Sequence, residues 1–419
     1  MAAAPDTHRA IDAVWRIESA RLIAGLARIV RDVGLAEDLA QEALVAALEQ
    51  WPEAGIPDNP GAWLMATAKH RAIDGIRHSQ MAERKREQIA REMDSTHDPD
   101  LDAQADDDIG DDLLTLIFTA CHPVLNTEGR IALTLRLVGA LTTPEIARAF
   151  VVPEKTMAQR IVRAKKTLAT AGVSFETPHG DERDERLASV CEVVYAIFNE
   201  GYSATAGDDW MRPALIEDAL RLGRILAGLA PREPEVHGLM ALMEIQASRS
   251  KARTDADGVP ILLLDQDRSR WDQLLIRRGL AALERAEDLP AGRPGPYTLQ
   301  AAIAACHARA REAQDTDWDR IALLYAHLST STGSPVVELN RAVALGMASG
   351  PETGLAVVDQ LVAGGDLEDY HLLPSVRGDL LDKLGRHDEA RAEFERAAAM
   401  TANQRERALL LDRAAGTAR

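Results

Sequence analysis

Residues 141–168 read LTTPEIARAFVVPEKTMAQRIVRAKKTL. Thr142 and Glu145 make a T-x-x-E capping box, and Thr143 before Pro144 gives a competing start signal one residue later. Either one opens a short helix through Glu145, Ile146, Ala147 and Phe150. Val151 and Val152 break that helix with β-branched residues, and Pro153 suits the first turn of another. On the second helix Met157, Ile161, Ala164 and Leu168 recur at the spacing of one buried stripe. Lys155, Gln159, Arg163 and Lys166 repeat that spacing on the opposite side, with Thr156 and Arg160 beside them. The pattern is that of a helix-turn-helix. A face of Arg, Gln, Thr and Lys offers guanine-reading forks, an adenine-reading amide and phosphate contacts together. Gln159, Arg160 and Arg163 are the expected readers of base edges, and Lys155, Lys165 and Lys166 the expected phosphate contacts. The competing reading is a solvated basic face on a surface helix.

Charge around this stretch favours DNA. Residues 113–172 hold eight Lys and Arg against three Glu, inside a chain whose net charge is −18. That total argues against a protein that coats nucleic acid non-specifically, but leaves room for a local basic island. A chain of 419 residues is long enough for two or three domains. Aromatic residues are 4% of it, Ala, Leu and Arg are abundant, and runs with period-2 alternation are nearly missing. The fold class expected is all-α. Three cysteines, Cys121, Cys191 and Cys306, lie far apart without CxxC spacing, which gives neither a disulfide framework nor a zinc site. Met1 to Ala10 has no signal-peptide pattern, and no apolar run approaches the roughly 18 residues of a membrane span. A soluble, cytoplasmic protein with no membrane partner is the expectation.

Four segments follow from composition. Residues 10–80 form a first helical block with breaks at Gly34 and across Trp51 to Gly61. Residues 81–112 carry Asp94, Asp98, Asp100, Asp102, Asp106, Asp107, Asp108, Asp111 and Asp112 with few large apolar residues, the composition of a flexible acidic linker. Residues 113–172 form the second, basic block. A short linker from Val173 to Asp184 precedes a helical region over 184–419.

Within the first block, LAEDLAQEALVAALEQW from Leu35 is an amphipathic helix with Asp38, Gln41, Glu42 and Glu49 on its polar side. After a loop, AWLMATAKHRAIDGIRH buries Met65, Ala68, Ala72 and Ile76. It turns Trp63, Thr67, His70, Asp74 and Arg77 the other way, with Lys69 and Arg71 at the edges. The order of AEDLAQEALVAALEQWP, PGAWLMATAKHRAIDGIR and the helix-turn-helix resembles the extracytoplasmic-function sigma factors of bacterial RNA polymerase. The resemblance covers roughly residues 10–172 and implies sigma region 2 over 10–80 and sigma region 4 over 113–172. It implies that Asp38, Gln41 and Glu42 grip the clamp helices of the polymerase β′ subunit, and that the β flap is a further contact. It also implies that Asn59, Trp63, Lys69, His70, Arg71 and Arg77 meet the −10 element, with core packing the competing reading for Trp63. The helix from Pro153 to Leu168 would occupy the −35 element through Lys155, Thr156, Gln159, Arg160, Arg163, Lys165 and Lys166. Lys155 stands where many relatives have Gly. The acidic linker is either a solvated tether or, by the resemblance, a phosphate mimic that threads the basic RNA path of the polymerase.

Residues 184–419 exceed what such a factor needs. LLDKLGRHDEARAEFERAAAM carries Leu384, Gly385, Ala390, Phe394 and Ala397 at tetratricopeptide-like offsets, and NRAVALGMASGPETGLAVVDQL is a weaker copy. TDWDRIALLYAHL adds a further helix. A helical solenoid is expected, resembling the subgroup of these sigma factors with a C-terminal tetratricopeptide-repeat extension. Its partner would be a peptide, another protein or the neighbouring domain. Glu200, Tyr202, Asp208, Asp265, Asp267, Arg268 and His307 are polar residues among packed helices, and either line a pocket or cap and bridge the repeats. With no nucleophile elbow, metal-ligand spacing or phosphate-binding Gly loop, no enzyme, cofactor, metal or catalytic residue is expected. The rival to a promoter-specificity subunit is a helical-repeat scaffold or ligand sensor whose N-terminal part binds DNA without polymerase.

Overall fold

A computed structural model describes residues 4–73, 109–204, 210–255, 258–290 and 292–416. Among them are helices and no strand, apart from one isolated bridge between Thr254 and Pro260. The described residues divide into two compact units, Met1–Val193 and Val194–Arg419. The expected acidic linker up to Asp108, with Asp74, Ile76, Arg77 and Asp208, falls outside the described residues.

In the first unit, α1 (Ala4–Val30) and α2 (Val33–Ala54) pack together, and a third helix, α3, runs over 60–73. The break before α2 lies at Arg31 and Asp32 rather than at the expected Gly34. Asp32 has extended backbone angles and accepts the amide of Leu35 at 2.8 Å, so it caps the helix and leaves Gly34 inside the first turn. Ala36, Ala40, Ala43 and Ala47 line the buried side of α2 and let it approach Leu22, Ile23 and Leu26 of α1. Gly25 brings α3 close as well, since a β-carbon there would stand 2.8 Å from Cε of Met65.

The basic block begins earlier than its composition suggests. Helix α4 (Ile109–Ala120) starts within the stretch expected to be linker, and buried Asp112 pairs with Arg28 of α1 at 3.4 Å. A carboxylate with a cation across the helix interface has a reason to be ordered that composition alone does not reveal. Helices α5 (Thr127–Leu137), α6 (Thr143–Ala149) and α7 (Glu154–Thr170) follow, with α5 and α6 both packed on α7. Helix α8 (Gly180–Tyr202) begins four residues inside the second expected linker. Its first half belongs to this unit: Ser189 donates to the Cys121 carbonyl at 2.9 Å and accepts from Arg130 at 2.6 Å.

The second unit runs through α9 (Pro213–Leu229), α10 (Pro234–Ala247), α11 (Gln273–Asp288), α12 (Pro296–Arg309) and α13 (Trp318–Thr332). It continues through α14 (Pro335–Ser349), α15 (Pro351–Gly364), α16 (Leu372–Lys383), α17 (His387–Met400) and α18 (Gln404–Gly416). From α9 onward each helix packs against the next. Gly385 turns the chain between α16 and α17 at a φ of 73°, where any side chain is strained. Phe394 is fully buried there, and a β-carbon on Gly378 would meet its ring at 2.9 Å. The unit is not an open stack. Asn403, ahead of α18, donates to the carbonyl of Ala204 at 3.1 Å, 199 residues earlier, so its two ends meet.

Candidate nucleic-acid interface

The helix-turn-helix forms as its sequence dictates. Thr142 accepts from the Glu145 amide while Glu145 accepts from the Thr142 amide at 2.8 Å, so the capping box wins over the competing start one residue later. Burial raises the Glu145 carboxyl, but the amide and hydroxyl of Thr142, with Arg16 and Arg148, outweigh it and hold the group below its ordinary value. The turn closes on Val151 at a φ of 51°, a left-handed conformation unusual for a β-branched residue. Pro153 precedes α7, and Met157, Ile161, Ala164 and Leu168 are its buried residues.

The opposite face of α7 is open. Lys155, Gln159, Arg163 and Lys166 are exposed, with Thr156, Arg160 and Lys165 half-buried. Thr156, Gln159, Arg160 and Arg163 line a groove of about 560 Å³ shared with Asn126 and Glu128 at the start of α5. Arg160 is held there by Glu128 at 3.0 Å. A row of fork, amide and hydroxyl donors beside a concave groove can hydrogen-bond the edges of a base pair.

The other sequence-expected residues fall on α2 and α3. Asn59 caps α3 by accepting the amide of Ala62 at 3.1 Å. Trp63 stands edge-on to buried Trp51 with ring centroids 5.3 Å apart, which ties its ring to the helix pair. Lys69 is half-buried and His70 exposed, and Arg71 pairs with Glu42 at 3.1 Å. Asp38 is exposed and Gln41 half-buried.

Sequence periodicity alone does not reveal the residue that organises these faces. Glu37, 3% exposed, accepts from Nε of Arg136 at 2.6 Å and from Gln41 at 2.7 Å. Nζ of Lys165 lies 2.5 Å from its other oxygen as a charge contact, and 3.9 Å from Asp38. A buried carboxylate thus joins α2 to α5 and α7, and one expected phosphate contact, Lys165, meets one expected polymerase contact, Asp38. The available signal was a charge at a position shared with Val33, Ala36 and Ala40, all buried. Among the described residues no group of three His, Cys, Asp or Glu side chains could hold a metal ion. No described helix is long and apolar enough to cross a membrane.

Comparison with known proteins agrees with this geometry. Residues 17–81 match Sigma-70 region 2 and residues 115–168 match Sigma-70, region 4. The ECF RNA polymerase sigma factor SigC of Mycobacterium tuberculosis is 31% identical over 139 residues, 33% of this chain and 70% of its own. The probable RNA polymerase sigma-C factor of Mycobacterium bovis matches to the same extent. The chain belongs to the family of ECF RNA polymerase sigma factors. More particularly, it is 44% identical over 386 residues to the uncharacterized protein R00370 of Rhizobium meliloti, covering 92% of this chain and 90% of that one. Residues 186–287 match a family of unknown function, DUF6596. No solved structure matches.

Proposed function

We propose that the chain binds core RNA polymerase, directs it to promoter DNA, and is regulated in cis by its C-terminal helical domain. The observation that carries this reading is the open polar row of α7 above a fully used buried stripe, set behind a capped α6. In this reading α7 lies at the −35 element, with Gln159, Arg160 and Arg163 on bases and Lys155, Lys165 and Lys166 on phosphates. Asn59, Lys69, His70, Arg71 and Arg77 serve the −10 element, and Asp38, Gln41 and Glu42 the polymerase clamp. Residues 10–80 and 113–172 act as the two promoter-reading domains, and the tetratricopeptide-like helices after 184 as the regulatory one.

Use of both faces at once requires Lys165 to leave Glu37 and Asp38. The exposed Asp38 contact costs little to break. Buried Glu37 is the stronger hold, so opening is set there.

Pull-down of core polymerase by the full chain tests the reading, with an Asp38→Ala, Gln41→Ala, Glu42→Ala triple variant expected to lose capture. In a gel shift with a cognate promoter fragment, Arg163→Ala is expected to weaken the polymerase complex by about 1–3 kcal/mol and relax specificity. DNA binding without capture of polymerase would transfer the function to a polymerase-independent scaffold. For regulation in cis, a chain ending at residue 202 keeps α8 whole. Equal transcript yield from this chain and the full one would remove the regulatory role.

A further inference from the structure

The second unit contains a cluster of polar groups that its own packing leaves unsatisfied. Nε of Arg249, Oγ of Ser250, Oε1 of Gln266, Nε of Arg268, Nε1 of Trp271 and Nδ1 of His307 are buried without a hydrogen-bond partner among the described residues. Buried polar atoms are normally paired, so several orphans in one neighbourhood need a cause. The neighbourhood is a single one. The turns Ser250–Ala252 and Arg268–Arg270 pack on each other, and the amide of Asp272 donates to the Ser248 carbonyl at 2.9 Å. Arg268 reaches from there to the carbonyls of His307 and Ala310 at the end of α12.

Charge makes the cluster stranger. The guanidinium carbon of Arg249 stands 5.7 Å from the ring centre of Tyr202 and 5.9 Å from that of Trp271. Arg253 shares the Tyr202 ring at 3.6 Å, and Arg268 shares the Trp271 ring at 4.8 Å. Three guanidinium groups and two aromatic rings therefore alternate, and none of the three pairs with a carboxylate among the described residues. Arg253 donates to the Tyr202 carbonyl, and Arg268 to two carbonyls and the hydroxyl of Thr316. Those two have structural work. The Arg249 side chain makes no hydrogen bond to any described group, so its fork is free.

The neighbours register the uncompensated charge. Burial, then Arg249 and Arg268, push the His307 imidazole down to about 4, so it is neutral at pH 7. Burial and Arg249 also lower Arg268 against the pull of Asp315, and burial with Arg249 lowers Arg253 against that of Tyr202. Tyr202, Gln266, Trp271 and His307 are each less than a tenth exposed, while Arg249 is half-buried and reachable from solvent. A guanidinium fork with an indole N–H and a neutral imidazole nearby is the donor set that an oxyanion satisfies.

We infer that Arg249, Trp271 and His307 form a binding site for a small ligand bearing an oxyanion, a carboxylate or a phosphate. The site is independent of the sigma reading and gives the matched family of unknown function, which spans Arg249 and Trp271, a ligand chemistry.

The test is thermal unfolding and tryptophan fluorescence of the full chain, titrated with inorganic phosphate or with succinate against sodium chloride at matched ionic strength. A saturable rise in midpoint with at least one oxyanion, absent with chloride, is expected. Response to phosphate alone assigns a phosphoryl ligand, to succinate alone a carboxylate, and to both a site for either group. Arg249→Met should weaken the response about ten- to a hundredfold, the loss of one charge-assisted contact. Arg249→Lys should fall between, keeping charge without the fork. Phosphate bound at the basic face of α7 would respond to Arg163→Ala instead. Without oxyanion, Arg249→Met should melt no lower than the parent, because it removes no hydrogen bond and the repulsion it relieves offsets its two ring contacts. Should that variant fail to fold, Trp271→Phe removes the indole donor and is expected to weaken the same response. No saturable response to either oxyanion, or one that Arg249→Met and Trp271→Phe both leave intact, overturns the proposal.

Discussion

Around Glu37, one buried carboxylate takes two cations and an amide from three helices; around Arg249, three cations meet and none forms an ion pair with a carboxylate among the described residues. Both are charged centres assembled from distant parts of the sequence. The first is nearly balanced within the chain and behaves as a fastener. The second carries uncompensated charge and orphaned donors, which makes it a receptor for something outside the chain. Buried charge alone does not separate structure from function; the balance of charge does.

The comparison breaks most visibly at Glu37. Glu37→Ala leaves Arg136 and Lys165 facing each other without their shared acceptor, and is expected to destabilise the first unit by roughly 3–4 kcal/mol in urea unfolding. A loss under about 1 kcal/mol would show that the cations find other partners at no cost.

Acid sharpens the other side. The native His307 stays neutral down to about pH 4, whereas an ordinary histidine takes up its proton near 6.5. Between those values the unfolded chain binds a proton that the native one refuses, so stability falls as pH falls through that window. The difference from His307→Gln should approach the order of 3 kcal/mol at the acid end. Equal pH profiles for parent and variant would mean that burial and the neighbouring guanidinium groups do not hold the imidazole neutral. A bound oxyanion should flatten the slope.

Without a bound oxyanion, Arg249→Met is expected to leave stability unchanged or raise it by up to about 1 kcal/mol, the opposite sign to Glu37→Ala. Smallest of all is Arg71→Ala. Its pair with Glu42 is exposed on both sides, and thermal unfolding should shift by less than about 0.5 kcal/mol. A larger change would place that pair among the fasteners.

Local patterns were legible and distant partnerships were not. The buried stripe of α7 and the Thr142–Glu145 box could be read directly, because both are settled within one or two turns of helix. Glu37 is not legible in the sequence because its partners are set only when the fold brings Arg136, 99 residues away, against it. Asp112 looked like linker because composition cannot foresee Arg28. In the second unit Tyr202, Arg268 and His307 were singled out as polar residues, and the fold links them to one centre, but through Arg249, which lay in an unremarked basic run. Asp267, singled out with them, instead caps a short turn by accepting the amide of Ser269 at 2.9 Å. Asp265, another of that group, is exposed at the end of the turn Leu263–Asp265.

The most direct test of the central claim is run-off transcription by core RNA polymerase with the full chain, on a template carrying the region upstream of its own gene. A transcript that depends on the chain, and that Arg163→Ala reduces while Arg391→Ala, at an exposed position of α17, does not, is the result expected. Failure of the full chain to bind core polymerase, with no chain-dependent transcript, would contradict the account.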